Sequence, residues 1–338
     1  LKLQMCIIDS PTALWLHLSL HQPASSGLPN QPKVLWKVKS GEGLASPIVA
    51  NSSVFLFENR NGNETMIALS ITDGSEQWAT ELSRVFEDGQ GPRGPRCTPV
   101  IDDGQVFAQC SRGTLHCLDA QSGRIQWEID YVNFGMTFVG EKGRAQGARR
   151  HGFTNTPLVV GGMVYATVGG KGHGIVCFNR TNGKVIWNAL DYEPGYAPPI
   201  PAVLAGKQQF VCFFVEGIVG VDIRNGSELW KIPMKTDYGR HVAAPIAHKD
   251  MVVAGSHQVG LQGIRVTKSG KKLGASVKWK NIEAQPNISH GDSKSKESAP
   301  PMLGTWRQSV KVHIVSVYER DDIKQSERPA EGTIYGVI

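Results

Sequence analysis

The chain has 338 residues, and its 36 basic side chains exceed its 30 acidic ones, for a formal net charge of +6. Hydrophobic residues make up 40%, which is enough to bury a core and excludes a wholly disordered chain. The 38 glycines and 19 prolines supply about one residue in six, where about one in eight is usual, and so indicate many turns. No apolar stretch reaches the ~18 residues of a membrane span, and the six cysteines are too sparse for a disulfide scaffold.

Residues 1–31 are predicted to be a poorly ordered extension that precedes the fold. Residues 5–20 have the length of a signal-peptide apolar region, but Asp9, Pro11 and His17 interrupt it. A degraded signal segment is the alternative interpretation, because this stretch is not a clean signal peptide.

From residue 32 onward, the chain repeats one unit in which a polar residue precedes a glycine by four positions and a tryptophan follows it by four. The polar residues are Ser70, Asp119, Asn179 and Asp222, the glycines are Gly74, Gly123, Gly183 and Gly226, and the tryptophans are Trp78, Trp127, Trp187 and Trp230. Trp36 precedes this series, and Trp279 follows it after a longer insertion. Dipeptides such as Asn182-Gly183 predict two-residue hairpin turns with positive φ at both positions, and the polar residue is expected to bond the turn amides.

Each glycine turn follows two apolar strands, and a proline-led apolar run precedes these strands. Proline is tolerated at the first residue of a strand, because no ladder donor is needed there. The runs begin at Pro47, Pro99, Pro157, Pro199 and Pro245. Four short antiparallel strands in about 40 to 60 residues are typical of a β-propeller blade. We therefore predict an all-β fold, with one propeller domain over residues 32–338 and a mobile Lys/Ser-rich loop at 280–300.

The recurring tryptophans are interpreted as core residues wedged between neighbouring blades, since each blade carries the ring at one position. A stacking box for a flat cofactor is the alternative. Cys110 and Cys117 flank a short hairpin and could face each other across strands, although buried free thiols are the expected state.

About six blades are predicted, five of them complete. The tail offers three further strands, at 299–303, 310–317 and 332–337, while the Trp36 strand has no blade before it. Pairing of the tail with the Trp36 strand would complete a sixth blade and close the ring, which removes exposed sheet edges. Truncation of a larger ring of seven or eight blades is the alternative.

The pattern Ala-x-Asp-x-x-x-Gly-x-x-x-Trp, preceded by a Ser/Thr-Pro-apolar strand, resembles the pyrroloquinoline-quinone-like propeller repeat. Ser46-Pro47, Thr98-Pro99 and Thr156-Pro157 match that strand, and the resemblance covers roughly residues 33–290. It implies an extracytoplasmic propeller, usually of seven or eight blades. The family contains calcium-bound quinone-dependent alcohol dehydrogenases, and also a scaffold lipoprotein of the outer-membrane assembly machinery.

The dehydrogenase branch typically uses a vicinal disulfide against the quinone, with Glu, Asn and Asp around calcium. No two cysteines are adjacent in this chain, and no such calcium set can be assigned from its sequence. We therefore predict a non-enzymatic binding or scaffold propeller with no catalytic residue, metal or cofactor. A quinone- and calcium-dependent oxidoreductase of the alcohol or sugar dehydrogenase type is the alternative.

Basic and aromatic side chains precede the innermost strand of several blades, where loops converge on one mouth of a propeller channel. Shared there, they would form a positive funnel suited to a protein partner or a small anionic ligand. Since the planar fork of arginine suits a carboxylate or a phosphate, the candidate ligands are a small anion, an acidic peptide tail and an acidic sugar. The candidate residues are Arg93, Arg96, Arg149, Arg150, His151, Tyr196, Arg240 and His241. The alternative is that they pair with local carboxylates or only solvate the rim. No specific nucleic-acid partner is predicted. The charges in the Lys/Ser-rich loop at 280–300 alternate in sign, and no aromatic residues lie between them.

Overall fold

The protein is described by a computed structural model over residues 34–87, 92–138, 140 and 145–284, together with the backbone of 332–337. The predicted all-β class is confirmed. The described helical structure comprises one 3₁₀ turn, Tyr131–Phe134, and one short helix, α1 (Ala148–His151). None of the helices in these ranges has the length and apolar character needed to cross a membrane.

The described strands form five four-stranded antiparallel sheets, each built from four consecutive strands. These sheets are the predicted blades, with a proline just before the innermost strand of each. In chain order they are blade 1 with β2 (Ile48–Ala50), β3 (Ser53–Arg60), β4 (Asn63–Ser70) and β5 (Glu76–Arg84); blade 2 with β6 (Val100–Asp102), β7 (Gln105–Gln109), β8 (Thr114–Asp119) and β9 (Ile125–Asp130); blade 3 with β10 (Leu158–Val160), β11 (Met163–Ala166), β12 (Ile175–Asn179) and β13 (Val185–Ala189); blade 4 with β14 (Ile200–Leu204), β15 (Lys207–Phe214), β16 (Gly217–Asp222) and β17 (Glu228–Pro233); and blade 5 with β18 (Ile246–His248), β19 (Met251–Ser256), β20 (Gly260–Ser269) and β21 (Lys272–Asn281).

The Trp36 strand, β1 (Val34–Ser40), pairs antiparallel with the last tail strand, β22 (Gly332–Val337), with Val38 opposite Ile334. This is the predicted pairing, whereas closure of a six-bladed ring remains a prediction. The tail strands expected at 299–303 and 310–317, and the extension 1–31, lie outside the described residues. The loop expected at 280–300 begins later than predicted, because β21 continues to Asn281, and its remainder from 285 also lies outside them.

Successive blades pack face to face, and the hydrophobic core is divided among these interfaces. Phe55 of blade 1 belongs to one buried cluster with Val106 of blade 2, and Phe107 of blade 2 to another with Val164 of blade 3. Phe210 of blade 4 likewise packs with β-strand residues of blade 3. The fold therefore buries both faces of most sheets, which is why its middle strands are almost continuously apolar.

The repeated glycine and tryptophan meet between blades. A Cβ added to Gly123 of blade 2 would lie 2.5 Å from the Trp78 ring of blade 1, and the Trp78 indole N–H donates to the Ala120 carbonyl at 3.0 Å. Trp36, Trp127 and Trp187 lie in the same way against Gly74, Gly183 and Gly226 of the following blade. The ring thus seals the interface and also bonds the neighbouring turn.

The last two tryptophans of the described repeat units, Trp230 and Trp279, differ from this arrangement. Trp230 is buried but lies over Gly220 of its own blade, and its indole N–H donates to Gln209 at 2.6 Å. Trp279 lies over Gly263 of its own blade and remains 44% exposed. Within the described part of the chain, Trp279 therefore does not occupy the predicted core position between two blades.

The glycine turns also differ in type from the prediction. Only the glycine of each pair has a positive φ, at 68° for Gly183, and its N–H bonds the carbonyl of Asn179 four residues back at 2.9 Å. Asn182 keeps negative φ and uses its side chain to accept the Lys184 N–H. As expected, the polar residue bonds the turn, since the Asn179 side chain accepts the Thr181 N–H.

Cys110 and Cys117 do not face each other across strands, which was the alternative to buried free thiols. Cys117 lies opposite Phe107, whereas the Cys110 N–H bonds the Thr114 carbonyl. Both are buried free thiols.

Candidate functional site

We call one end of the propeller the mouth face. It carries the described parts of the segments that join one blade to the next (85–87, 92–99, 131–138, 140, 145–157, 190–199 and 234–245) and the hairpin tips between second and third strands. Backbone bonds connect three of these segments. Gly147 N–H donates to the Tyr238 carbonyl at 3.1 Å, Ala148 N–H to Pro194 at 3.0 Å, and Tyr196 N–H to His241 at 3.0 Å. The segments before blades 3, 4 and 5 are thereby held together as one structure.

Three arginines from three different inter-blade segments converge on His151 at the end of α1. The Arg150 Nε donates to His151 Nε2 at 3.0 Å, and Arg240 Nη2 lies 3.4 Å from the same nitrogen. Arg96 Nη1 donates to the His151 carbonyl at 2.8 Å. Because arginine offers only donors, His151 Nε2 accepts the bond from Arg150. We call Arg96, Arg150, Arg240 and His151 the arginine cluster.

Aromatic rings hold the guanidinium groups in place. The guanidinium carbons of Arg150 and Arg240 each lie 4.9 Å from the centre of the Tyr238 ring, and that of Arg96 lies 5.3 Å from the Phe86 ring. Cation–π contacts of this kind contribute about 0.5–1 kcal/mol at exposed sites. They also orient the planar forks before any ligand arrives, which lowers the ordering cost of binding.

Tyr196 and His241 lie below the cluster as supports. The Tyr196 hydroxyl donates to the Gly147 carbonyl at 2.7 Å, and burial raises the pKa of this hydroxyl, an effect that Arg240, Arg96 and Arg150 partly oppose. His241 is fully buried and stacked on Phe213 at 4.1 Å, and burial lowers its pKa to about 4. These two predicted site residues therefore organise the segments and are not open to solvent.

Arg93 and Arg149 lie apart from the cluster. Arg93 pairs with Glu87 at 3.3 Å on the surface. Arg149 donates from Nε to the Thr137 carbonyl at 3.0 Å and lies 3.8 Å from Glu193. The structure thus brings together six of the eight candidate residues and gives the other two, Arg93 and Arg149, local acidic or carbonyl partners.

A buried carboxylate lies beneath the same face. Glu64 of β4 is fully buried and accepts hydrogen bonds from the Ser111 N–H, at 2.9 Å, and from the Ser111 hydroxyl at the tip of the β7–β8 hairpin. Burial raises its pKa to about 7, against the opposing effect of the Ser111 bonds and the positive charge of Arg96. Glu64 therefore joins blade 1 to blade 2 directly below one arginine of the cluster.

The sequence reasoning did not include Glu64, Phe86 and Tyr238 among the candidates. Glu64 could have been found as an acidic residue immediately before the run Thr65 to Leu69, whose positions are all buried. Tyr238 lies in the segment that already supplied Arg240 and His241. Nothing in the sequence marks Phe86 as the partner of Arg96, because the contact depends on how their shared segment folds back.

The described residues hold neither a cluster of His, Cys, Asp and Glu side chains nor an adjacent cysteine pair on which the alternative hypothesis of a calcium and quinone site could be built. Nowhere in them do three or more His, Cys, Asp or Glu side chains gather into a group that could hold a metal ion. The five cysteines there are buried and unbonded, and no two are adjacent in sequence. We therefore derive no chemistry through either group.

Several known proteins are similar to this chain. The outer membrane protein assembly factor BamB of Moranella endobia (strain PCIT) is 24% identical over 224 residues, which cover 65% of this chain and 51% of that protein. BamB of Vibrio cholerae is 27% identical over 142 residues, or 39% of this chain and 33% of that protein. The chain thus spans about half or less of the length of these relatives.

Two solved structures are also similar. The crystal structure of BamB from Moraxella catarrhalis matches with a TM-score of 0.47 at 18% identity, covering 74% of this chain and 65% of that one. Quinohemoprotein alcohol dehydrogenase from Comamonas testosteroni matches with a TM-score of 0.35 at 12% identity, covering 70% and 54%. Likeness at this level says nothing about function.

The model of one protein family spans most of the propeller. It is described as outer membrane protein assembly factor BamB and matches residues 29–131 and 80–295, well over half of the chain. These matches include all five complete blades and the segments that carry the arginine cluster. The chain is therefore a member of the BamB family of propellers with pyrroloquinoline-quinone-like repeats.

Proposed function

We propose that this protein is a non-enzymatic binding scaffold that presents the mouth face to a protein partner or a small anion, with the arginine cluster as the contact for an acidic group. The single observation that carries the proposal is the convergence of Arg96, Arg150 and Arg240 on His151. Family relatives named as assembly factors support a protein partner. Their association with an outer membrane supports an extracytoplasmic location.

The chemistry of the cluster favours a carboxylate or a similar anion. Arg150 donates only through Nε within the described part of the chain, and its two terminal nitrogens make no hydrogen bond there. A planar guanidinium with two available N–H groups matches the two oxygens of a carboxylate. Charge-assisted bonds of this type contribute about 1.5–3 kcal/mol, which is enough for one arginine to change affinity measurably.

The role of Arg150 is tested by comparing Arg150→Ala with the matched control Arg149→Ala. The two residues are neighbours with the same charge, but Arg149 is already bonded to Thr137 and Glu193. We expect Arg150→Ala to weaken binding of a fluorescent eight-residue glutamate peptide by about tenfold or more, and Arg149→Ala by less than about twofold. Fluorescence anisotropy at low and at physiological salt gives both affinities.

If Arg150→Ala and Arg149→Ala weaken peptide binding equally, the peptide is held by non-specific charge attraction and not by a specific contact with Arg150. Glutarate, a small dicarboxylate, is a second probe. If the wild-type protein binds neither the peptide nor glutarate, the arginine cluster is not an anion-binding site. The far-UV circular dichroism and melting temperature of each variant show whether it is folded.

A further inference from the structure

A second basic site lies on the mouth face next to the arginine cluster. A recess of about 440 Å³ between blades 1 and 2 is lined by Asn61, Asn63, Arg84, Arg112 and Glu87, among others. Arg84 and Arg112 are exposed, and neither side chain has a hydrogen bond or ion pair with another described residue. Glu87, the acidic residue of the recess, is already paired with Arg93. The recess therefore has an excess of positive charge.

The recess and the cluster are joined by direct contacts. Arg112 lies at the tip of the β7–β8 hairpin, next to Ser111. The Ser111 carbonyl accepts the Phe153 N–H at 2.8 Å and packs against Gly152, which follows His151 of the cluster. The two basic sites are therefore linked through buried residues beneath one mouth face, and we call the stretch of that face between them, from Arg84 to Arg150, the strip.

We propose that an extended acidic polypeptide segment of the partner lies along this strip and places carboxylates in both sites at once. This inference rests on the proposed function and specifies its ligand as a polypeptide rather than a small anion. An extended chain advances about 3.3 Å per residue and points alternate side chains to one side, so acidic residues in one short segment can reach separate arginines. The amide of Asn61 at the recess is suited to bond a peptide group.

Two linked contacts bind more tightly than either alone, because the second forms within the same complex. A short probe that fills only the cluster should therefore not depend on Arg84 or Arg112. A longer probe should depend on both sites. This difference separates a polypeptide segment from a single small anion.

The test uses the double variant Arg84→Ala/Arg112→Ala, with Arg124→Ala as control. Arg124 is exposed like the recess arginines but lies at the β8–β9 turn, on the opposite end of the blade from Arg112. The probes are fluorescent glutamate peptides of two and eight residues. We expect the double variant to weaken the eight-residue peptide by about tenfold and the two-residue peptide by less than about twofold. Arg124→Ala should change neither.

The outcomes distinguish this inference from the proposed function. If Arg150→Ala weakens both peptides while the double variant weakens them equally or not at all, the cluster stands and the extended segment is wrong. If Arg150→Ala leaves both peptides unchanged, both proposals fail. Polygalacturonate is a third probe, and stronger dependence of its binding on both sites than is seen for the peptide would replace the polypeptide by an acidic polysaccharide.

Discussion

Glu64 shows how a single buried carboxylate makes the stability of this fold dependent on pH. Its pKa is raised from 4.5 to about 7, because desolvation outweighs the bonds from Ser111. The folded state therefore holds its proton more tightly than the unfolded chain does. By linkage, the stabilisation is complete below about pH 4.5 and is lost as the pH rises through about 7.

The first prediction is that Glu64→Gln removes this dependence. Between pH 5 and 8, the free energy of unfolding of the wild type should fall by about 2–3 kcal/mol relative to that of the variant, as the carboxylate ionises. Urea unfolding at several pH values measures both. Glu81→Gln, an exposed residue on the next strand, is the control. Parallel pH profiles for wild type and Glu64→Gln would mean that Glu64 does not titrate in this range.

The cluster also shows why residue type alone does not specify a site. Arg149 and Arg150 are adjacent in α1, and side chains one position apart on a helix point about 100° from each other. One therefore reaches Thr137 and Glu193, while the other reaches His151. The sequence predicted both as candidates and had no means to separate them.

At the level of elements, the glycine turn and the tryptophan of the preceding blade form one unit. Gly123 needs a positive φ of 70° for its turn, and it also has no room for a Cβ beside Trp78. Gly270 shares the positive φ, at 59°, but a Cβ there would meet nothing within 4 Å. This pair separates the cost of backbone conformation from the cost of packing.

We predict that Gly123→Ala destabilises the protein by about 2–4 kcal/mol, since it adds displacement of the Trp78 ring to the backbone strain. Gly270→Ala should cost only about 1 kcal/mol, which is the backbone share alone. Chemical denaturation gives both values, and the fluorescence difference between each protein and its Trp78→Phe variant gives an independent check on the ring. Equal losses for the two variants would show that the ring moves aside without cost.

At the level of the whole molecule, β1 and β22 bring together residues from opposite ends of the described chain. Lys37 lies opposite Tyr335 in this pairing. We predict that the double variant Lys37→Cys/Tyr335→Cys forms a disulfide on mild oxidation, detected as a linked peptide by mass spectrometry after digestion. Lys37→Cys/Thr333→Cys, two positions out of register, should form less of it. Equal cross-linking of both variants would argue against this register.

The pairing of β1 with β22 is one part of the predicted six-bladed ring, and closure of that ring is a separate prediction. Trp279 of blade 5 is still largely exposed, whereas the equivalent rings of blades 1 to 3 are covered by the blade that follows. If a sixth blade packs there, acrylamide should quench Trp279 little more than the covered rings. Strong quenching of Trp279, measured as the difference between wild type and Trp279→Phe, would favour an open arc.

The sequence by itself determined the blade. The glycine turn, the proline before the inner strand and the tryptophan four residues after the glycine act within about fifty residues, so their spacing can be seen without knowing the fold. The repeat also located the inter-blade segments that carry the candidate site. The tertiary structure decided which side chains meet there. Arg96 and Arg240 lie 55 and 89 positions from His151 and belong to other inter-blade segments, so only the packing of the blades brings them to it.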